Sequence, residues 1–397
     1  MRILFSGTPA FGHLLPMLPL ERVARRAGHA TAMLTHSSMA EAVAPAPVLH
    51  AGPTVEAVLA EVTRRTGADA GQDMSPATAA EFFGGVRVDL GAEEAVAQAR
   101  AFAPDLIIVE TADYLGRFAA AVLDVPVVTH GVGIALEEQL AQAMDAAAAT
   151  RLSALELTLP EPRASVDPWP ACLQRDTWQP PVGRIAIRSE AYESEAYESE
   201  AHASEAHESE PHVSEAQEGG DEGDGAKVAF PGRENLPRVL VTLGTFLDEP
   251  ELLAGIVDSL AGPEVNVVVA VNPSAQTDTA PIERAGVRVV GFVPMRRLLE
   301  GVDVVVASGG AGTVLAVLGS GIPMVLLPMA LDKPLNAERA SAVGAAMVVD
   351  SPDQTGKAVT KVLSDESFAH GASKVAQEIA DMNSAETVFT LLLEHVS

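Results

Sequence analysis

Apolar and polar positions follow two patterns along this chain. Short, nearly unbroken apolar runs recur, each closed by glycine, proline or a small polar residue. Between them lie stretches whose apolar residues return every three or four positions. In the N-terminal half the runs predict strands at Arg2–Ser6, Ala30–Thr35, Asp105–Glu110 and Pro126–His130, with helices over Leu14–Ala27 and Leu115–Leu123. The C-terminal half repeats the scheme more clearly. Its strands fall at Arg238–Leu243, Asn266–Val271, Val287–Phe292, Val302–Ala307 and Met324–Pro328, and its helices at Glu251–Ala261, Gly312–Gly319, Leu335–Val343 and Asp353–Leu363. Strands this apolar, alternating with helices, imply parallel sheets covered on both faces. The expected fold class is therefore α/β, with two Rossmann-like domains facing across a cleft. Open parallel sheets of this kind take their ligands at the C-terminal ends of the strands.

Between the halves the pattern disappears. The pentapeptides SEAYE, SEAYE, SEAHA, SEAHE, SEPHV and SEAQE follow one another from Ser189 to Glu218, and GGDEGDGA comes next. A step of five residues turns a helix by about 140° past a full turn, so the tyrosines and histidines form no stripe. Dense like charge without an apolar face predicts a disordered acidic insertion over 189–225. His202, His207 and His212 preform no metal site at this spacing. The expected division is an N-terminal domain over 1–188, the insertion, a C-terminal domain over 226–380, and a last helix within 381–397 that packs back on the N-terminal domain.

Charge alters this picture only in part. The chain of 397 residues has a formal net charge of −28, but 189–225 contributes eleven Glu and two Asp without a Lys or Arg, leaving −15 elsewhere. An acidic surface argues against nucleic acid as a partner. Small anions remain accessible wherever helix N-termini and backbone amides supply local positive potential. The single cysteine, Cys172, excludes an internal disulfide and favours a reducing compartment. No apolar run approaches the roughly 18 residues of a membrane span, and MRILFSG enters a strand directly, unlike a signal peptide. These features predict a cytoplasmic protein that acts on small molecules, with no nucleic acid and no stable membrane insertion; a homodimer is compatible with them.

The chemistry concentrates where the run Val304–Ala307 stops at Ser308-Gly309-Gly310-Ala311-Gly312-Thr313 and a helical pattern starts at once. Glycines there let a ligand approach the backbone, and the first amides of a helix are unpaired. A phosphate or diphosphate suits such a place; a tight turn packed closely against its neighbours is the alternative. The sequence is neither a spaced nicotinamide-type glycine fingerprint nor a P-loop, since no Gly-Lys-Ser/Thr follows. A second hydroxyl-bearing turn, TLGTF, closes another apolar run and brings Thr245 to the same end of the sheet.

Together, the segment from Gly291 to Val349, the opening MRILFSGTPAFGHLLP, the stretch PDLIIVETADYLG and RVLVTLGTF resemble nucleotide-sugar-dependent glycosyltransferases of the GT-B fold. The similarity is greatest to the actinobacterial macrolide and enediyne branch of the UDP-glycosyltransferase superfamily, and it spans nearly the whole chain outside 189–225. It implies that His13, in FGHLLP, is the general base that deprotonates the acceptor hydroxyl. Imidazole titrates near neutrality and suits that task. Glu110 occupies the place of the carboxylate that orients the base, usually an Asp, so the nearby Asp113 stays a candidate.

On the donor side the resemblance implies that Phe292 stacks on the nucleotide base and that the backbone of Val293 bonds its edge. Gly309, Gly310, Ala311, Gly312 and Thr313 would receive the diphosphate, and Asp332 with Asn336 would bond the sugar hydroxyls. Two positions depart from the pattern. Ser308, a shorter donor to the diphosphate, replaces a phosphate-binding His, a change worth about 2.7–4 kcal/mol in transition-state stabilisation by analogy with oxyanion donors. Lys333, able to pair with Asp332 or to reach a donor phosphate, replaces a Gln beside the acidic residue. In the N-terminal half, Met74, Phe82 and Phe83 are candidates for an apolar acceptor wall, or for ordinary packing.

The resemblance implies an inverting transfer of a sugar or deoxysugar from a dTDP- or UDP-sugar to a hydroxyl of a hydrophobic natural product, with no cofactor and no metal. An impaired homologue acting as a binding or activator protein, and a transferase acting on a lipid carrier, stay open as alternatives.

Overall fold

The computed structural model describes residues 1–71, 75–190, 228–243, 250–261, 264–271, 286–291, 293–329 and 331–396. Among the described residues thirteen strands build two sheets, and every neighbouring pair within them is parallel. The N-terminal sheet contains β1 (Arg2–Ser6), β2 (Ala30–Thr35), β3 (Val48–His50), β4 (Leu106–Glu110), β5 (Val127–His130), β6 (Ser165–Asp167) and β7 (Arg184–Ala186), in the spatial order β3-β2-β1-β4-β5-β6-β7. The C-terminal sheet contains β8 (Arg238–Thr242), β9 (Asn266–Ala270), β10 (Val287–Val290), β11 (Val304–Ala307), β12 (Met324–Leu326) and β13 (Ala346–Val348), in the order β10-β9-β8-β11-β12-β13. Each sheet therefore reverses its winding beside its own first strand, between β1 and β4 in one and between β8 and β11 in the other. Such switch points open a crevice at the carboxyl ends of the strands.

The two-domain α/β expectation holds, and the physical cause is visible in β4 and β11. Every residue of LIIVE and VVVA is buried, because helices cover both faces and no polar side is needed. The expected helix over Leu14–Ala27 is corrected. The chain forms a short helix at Phe11–Leu14, a 3-10 turn at Leu15–Met17 and a helix at Leu18–Arg26. Pro16 and Pro19 lack the amide hydrogen that an uninterrupted helix requires, so the segment is built in pieces.

The two halves share more than a cleft. Trp169 and Leu173, from the N-terminal half of the chain, are fully buried in the core of the C-terminal domain. Arg339 pairs with Asp176 at 2.8 Å, and the Cys172 amide donates to Glu378 at 3.0 Å. In return the last helix, Ala385–Val396, places Ala385, Val388, Phe389 and Leu392 in the core beneath β1. Just before it, Asn383 lies beside β7: its backbone accepts from the Arg188 amide at 2.8 Å, and its side chain donates to Ala186 O at 3.0 Å. The acidic repeats belong to 191–227 apart from their first two residues and so fall outside the described residues. Among the described residues no helix is long and apolar enough to cross a membrane.

Candidate functional site

At the N-terminal switch point the chain leaves β1 at Ser6 and turns at Gly7, where a side chain would stand 2.7 Å from Leu14 Cδ2 and 3.0 Å from Met17 Cε. This tight turn presents His13 at the cleft on the helix Phe11–Leu14. The His13 side chain is 28% exposed, enough to meet a ligand, and its Nδ1 lies 2.9 Å from Oε2 of the fully buried Glu110 at the end of β4. Glu110 is held on both oxygens: the Ala112 amide donates to Oε1 at 2.6 Å and Thr8 Oγ1 to Oε2 at 3.3 Å.

Burial by itself would lower the His13 pKa, but the adjacent Glu110 charge and contact prevail and raise it above its ordinary value. For Glu110 the desolvation that pushes the carboxyl up is outweighed by His13 and the Ala112 amide, and its pKa falls. The two groups thus favour each other's charged form. Carboxylate-bound Nδ1 leaves Nε2 as the ring nitrogen for a substrate.

Asp113 has a different occupation. It caps the helix Tyr114–Leu123 through the Gly116 amide at 3.0 Å, accepts from Ser6 Oγ, and pairs with the buried Arg87 at 2.9 Å. Ring contacts separate the two aromatic candidates of the acceptor wall. Phe83 sits with its ring centroid 6.1 Å from that of His13, whereas Phe82 meets Phe83 edge-on at 4.7 Å and packs on a small cluster with Val58, Val62 and Val86. Both belong to a π-helical turn at Glu81–Val86, where Gly84 would bring a side chain within 2.4 Å of Met144 O. Met74 lies outside the described residues.

At the C-terminal switch point β11 ends at Ala307 and the helix Ala311–Gly319 begins after Gly310. Gly309 adopts φ +87°, in the left-handed region, and a side chain there would stand 3.1 Å from the Lys333 carbonyl. No side chain caps this helix, so its first amides face the loop. Ala311 and Thr313 are half-buried, and Gly312 is exposed at its first turn.

The reading of Ser308 as a phosphate donor needs correction. Its side chain is buried, and its hydroxyl donates to Leu243 O at 3.0 Å, tying the end of β11 to the end of β8. We expect Ser308→Ala to cost about 1 kcal/mol of stability, the worth of one hydrogen bond, and to leave diphosphate affinity unchanged. Chemical denaturation and calorimetric titration measure the two effects separately.

Asp332 stands at the N-cap position of the helix Lys333–Ala342 without making a capping bond; it is exposed and accepts from Asn336 Nδ2 at 2.8 Å. The same amide donates to Gly309 O at 3.0 Å, so the buried Asn336 links the acidic residue to the glycine loop. Leu331, just before, is a non-glycine residue at φ +63°, a strained conformation of the kind that collects at binding sites. Lys333 is buried, and desolvation lowers its pKa against the pull of Asp332. Among the described residues its ammonium has no hydrogen-bonded or ion-paired partner. Val293 is half-buried beyond β10; Thr245 and Phe292 lie outside the described residues.

The two switch points face each other. A side chain added at Gly133, in the loop after β5, would stand 3.2 Å from Ala311 Cβ and 4.0 Å from Asp332 Oδ2, and the Asp332 charge reaches His13. An imidazole–carboxylate pair thus looks across the cleft at a loop of open amides and an exposed carboxylate. Among the described residues no three His, Cys, Asp or Glu side chains gather in a metal-binding group.

Known proteins share this fold. Residues 254–394 match the family described as erythromycin biosynthesis protein CIII-like, C-terminal domain. The elloramycin glycosyltransferase ElmGT of Streptomyces olivaceus is 26% identical over 96% of this chain and 94% of its own length. The L-demethylnoviosyl transferase of Streptomyces niveus is 27% identical over 87% and 84%. The crystal structure of the Streptomyces sp. SF2575 glycosyltransferase SsfS6 complexed with thymidine diphosphate superposes with a TM-score of 0.77 over 99% of both chains, at 24% identity.

The chain has the two-domain GT-B fold of these glycosyltransferases. A second solved relative, the spinosyn rhamnosyltransferase SpnG complexed with spinosyn aglycone, has a TM-score of 0.77 at 22% identity, over 99% of this chain and 100% of its own. In this chain the features missed by sequence reasoning are Thr8, Arg87 and Gly133. Arg87 left one trace, a lone cation between Val86 and Val88 in a stretch of helical character.

Proposed function

We propose that the chain catalyses an inverting transfer of a deoxysugar from a dTDP- or UDP-sugar to a hydroxyl of a hydrophobic natural-product acceptor, with His13 as general base. The observation that carries this reading is His13 Nδ1 held 2.9 Å from buried Glu110 on the wall opposite the glycine loop. With Nδ1 turned to the carboxylate, Nε2 takes the acceptor proton as the oxygen attacks the anomeric carbon. The nucleoside diphosphate departs from the opposite face toward the amides of the helix Ala311–Gly319, whose N-terminal dipole favours the developing charge. Attack and departure on opposite faces invert the anomeric centre.

Asp332, exposed and oriented by Asn336, is placed to accept bonds from sugar hydroxyls, and Lys333 offers a cation beside the loop in place of the donor that Ser308 does not supply. Phe83 forms the apolar side of the acceptor pocket next to the base. Thymidine diphosphate in the SsfS6 complex and the spinosyn aglycone in the SpnG complex support the choice of donor and acceptor class.

Calorimetric titration with dTDP, UDP, GDP and NAD tests the donor. We expect dTDP or UDP to bind selectively. Asp332→Ala should leave that affinity unchanged while weakening the matching sugar nucleotide by about tenfold, the worth of one hydrogen bond to a charged group. Binding of no nucleotide would overturn the reading and favour an accessory protein derived from a transferase.

A further inference from the structure

Beneath His13 and Glu110 lies a buried charged cluster that neither group requires for its own contact. The Arg87 guanidinium is 2% exposed. It donates to Thr8 Oγ1 and, at 2.9 Å, to Asp113 Oδ1. Thr8 passes its own hydroxyl hydrogen to Glu110 Oε2, the oxygen that faces His13. Burial raises the Asp113 pKa, but the group accepts from Arg87, Ser6 and the Gly116 amide, and these three donors on two oxygens, one of them a guanidinium, favour the carboxylate.

The interior thus contains two carboxylates against one guanidinium. With neutral His13 the cluster carries an uncompensated negative charge; with protonated His13 it is balanced. Burying unbalanced charge is expensive, so the arrangement is matched to the state reached after His13 has taken a proton. Arg87 limits the imbalance in the resting state, which would otherwise hold His13 permanently charged.

We propose that Arg87 and Asp113 form a buried counter-charge pair that positions Glu110 through Thr8 and sets the protonation equilibrium of His13. Arg87 is a positioning residue; it touches Thr8 and Asp113, not the cleft. The charged and titratable groups facing the dyad are Arg87 from the helix Arg87–Phe102, Asp113 and Tyr114 from the start of the next helix, His130 from the end of β5, and Asp332 across the cleft. Arg87 opposes protonation of His13 while favouring ionised Glu110. The role in catalysis rests on His13 being the base; the electrostatic coupling does not.

The experiment is a double-mutant cycle on the full chain, read by NMR titration of the His13 ring and by the acid limb of kcat/KM. Asp113→Asn keeps the helix cap and the Ser6 bond and leaves Glu110 balanced by the guanidinium while His13 is neutral, so the His13 midpoint should fall by about one pH unit. Arg87→Met should raise it by a similar amount, and the double variant should return it close to the wild-type value. Arg87→Lys, which keeps the charge, should resemble the wild type.

Midpoints that do not move in Asp113→Asn, or that move the same way in both single variants, would overturn the proposal. If Arg87→Met does not fold, Asp113→Asn and the double variant decide: Asp113→Asn lowered with the double restored supports the coupling, and any other result overturns it. A His13 midpoint that follows this order while the acid limb stays fixed supports the coupling and refutes His13 as the base.

Discussion

Replacing His13 by alanine is expected to lower kcat by about 10²–10⁴-fold, the range contributed by a positioned general base, while leaving dTDP affinity unchanged. The separation follows from the architecture. His13 belongs to the wall built at the β1–β4 switch point, and the amides offered to the diphosphate belong to the helix Ala311–Gly319 of the other domain. Nothing in the diphosphate cradle leans on the imidazole. Rapid-quench turnover with saturating donor, paired with calorimetry of dTDP binding, checks both halves. A variant with lost dTDP affinity and an unchanged single-turnover rate would show that His13 serves the donor rather than the acceptor.

The second large effect concerns stability in acid. His130, at the end of β5, is fully buried; its Nδ1 donates to Gly131 O at 2.6 Å, and among the described residues its Nε2 has no hydrogen-bond partner. Burial pushes its pKa down to about 4, so the folded chain keeps this imidazole neutral where an unfolded chain, titrating near 6.5, binds a proton. The unfolded state therefore holds the extra proton between these values. The stability contributed by neutral His130 is complete above about pH 6.5 and is lost as pH falls toward 4. Between pH 7 and pH 5 the loss amounts to about 2 kcal/mol.

His130→Asn, which retains an amide donor for Gly131, should remove that part of the slope. Urea unfolding of both proteins at the two pH values measures it, and equal acid sensitivity in the two would refute the assignment. His13 acts in the opposite direction: its raised pKa gives stability that is present below its unfolded value and lost as pH rises through the folded one. The His130 comparison therefore has to be made as a difference between variants.

These expectations draw unequally on the sequence. β1, β4, β8 and β11 were legible because a strand buried on both faces must be apolar throughout, and the glycines after Ala307 marked where a backbone approaches something closely. His13 and Glu110 were paired by family resemblance, since no spacing rule joins residues on different strands. The buried cluster was hardly legible: Arg87 showed only as a lone cation, and Asp113 only as an alternative to Glu110. Arg87 and Asp113 are ordinary surface residues until the fold inserts a π-helical turn at Glu81–Val86 ahead of one and places the other over Ser6. The strands at Ser165–Asp167 and Arg184–Ala186 escaped because three residues with polar ends carry no periodicity, and the helix Glu138–Ser153 because its run of alanines marks no apolar stripe. Ser308 was misread for a related reason: a hydroxyl beside glycines suggests a ligand, but the bond to Leu243 O depends on which strand lies next to it.

The return of the last helix to the first domain sets a rule for engineering. A hybrid enzyme that exchanges acceptor specificity at a single junction near residue 228 would graft a foreign first domain onto a tail shaped for another, leaving Val388, Phe389 and Leu392 to meet mismatched partners. The exchangeable unit is discontinuous: residues 1–190 must travel with 383–396, and the donor module is what lies between.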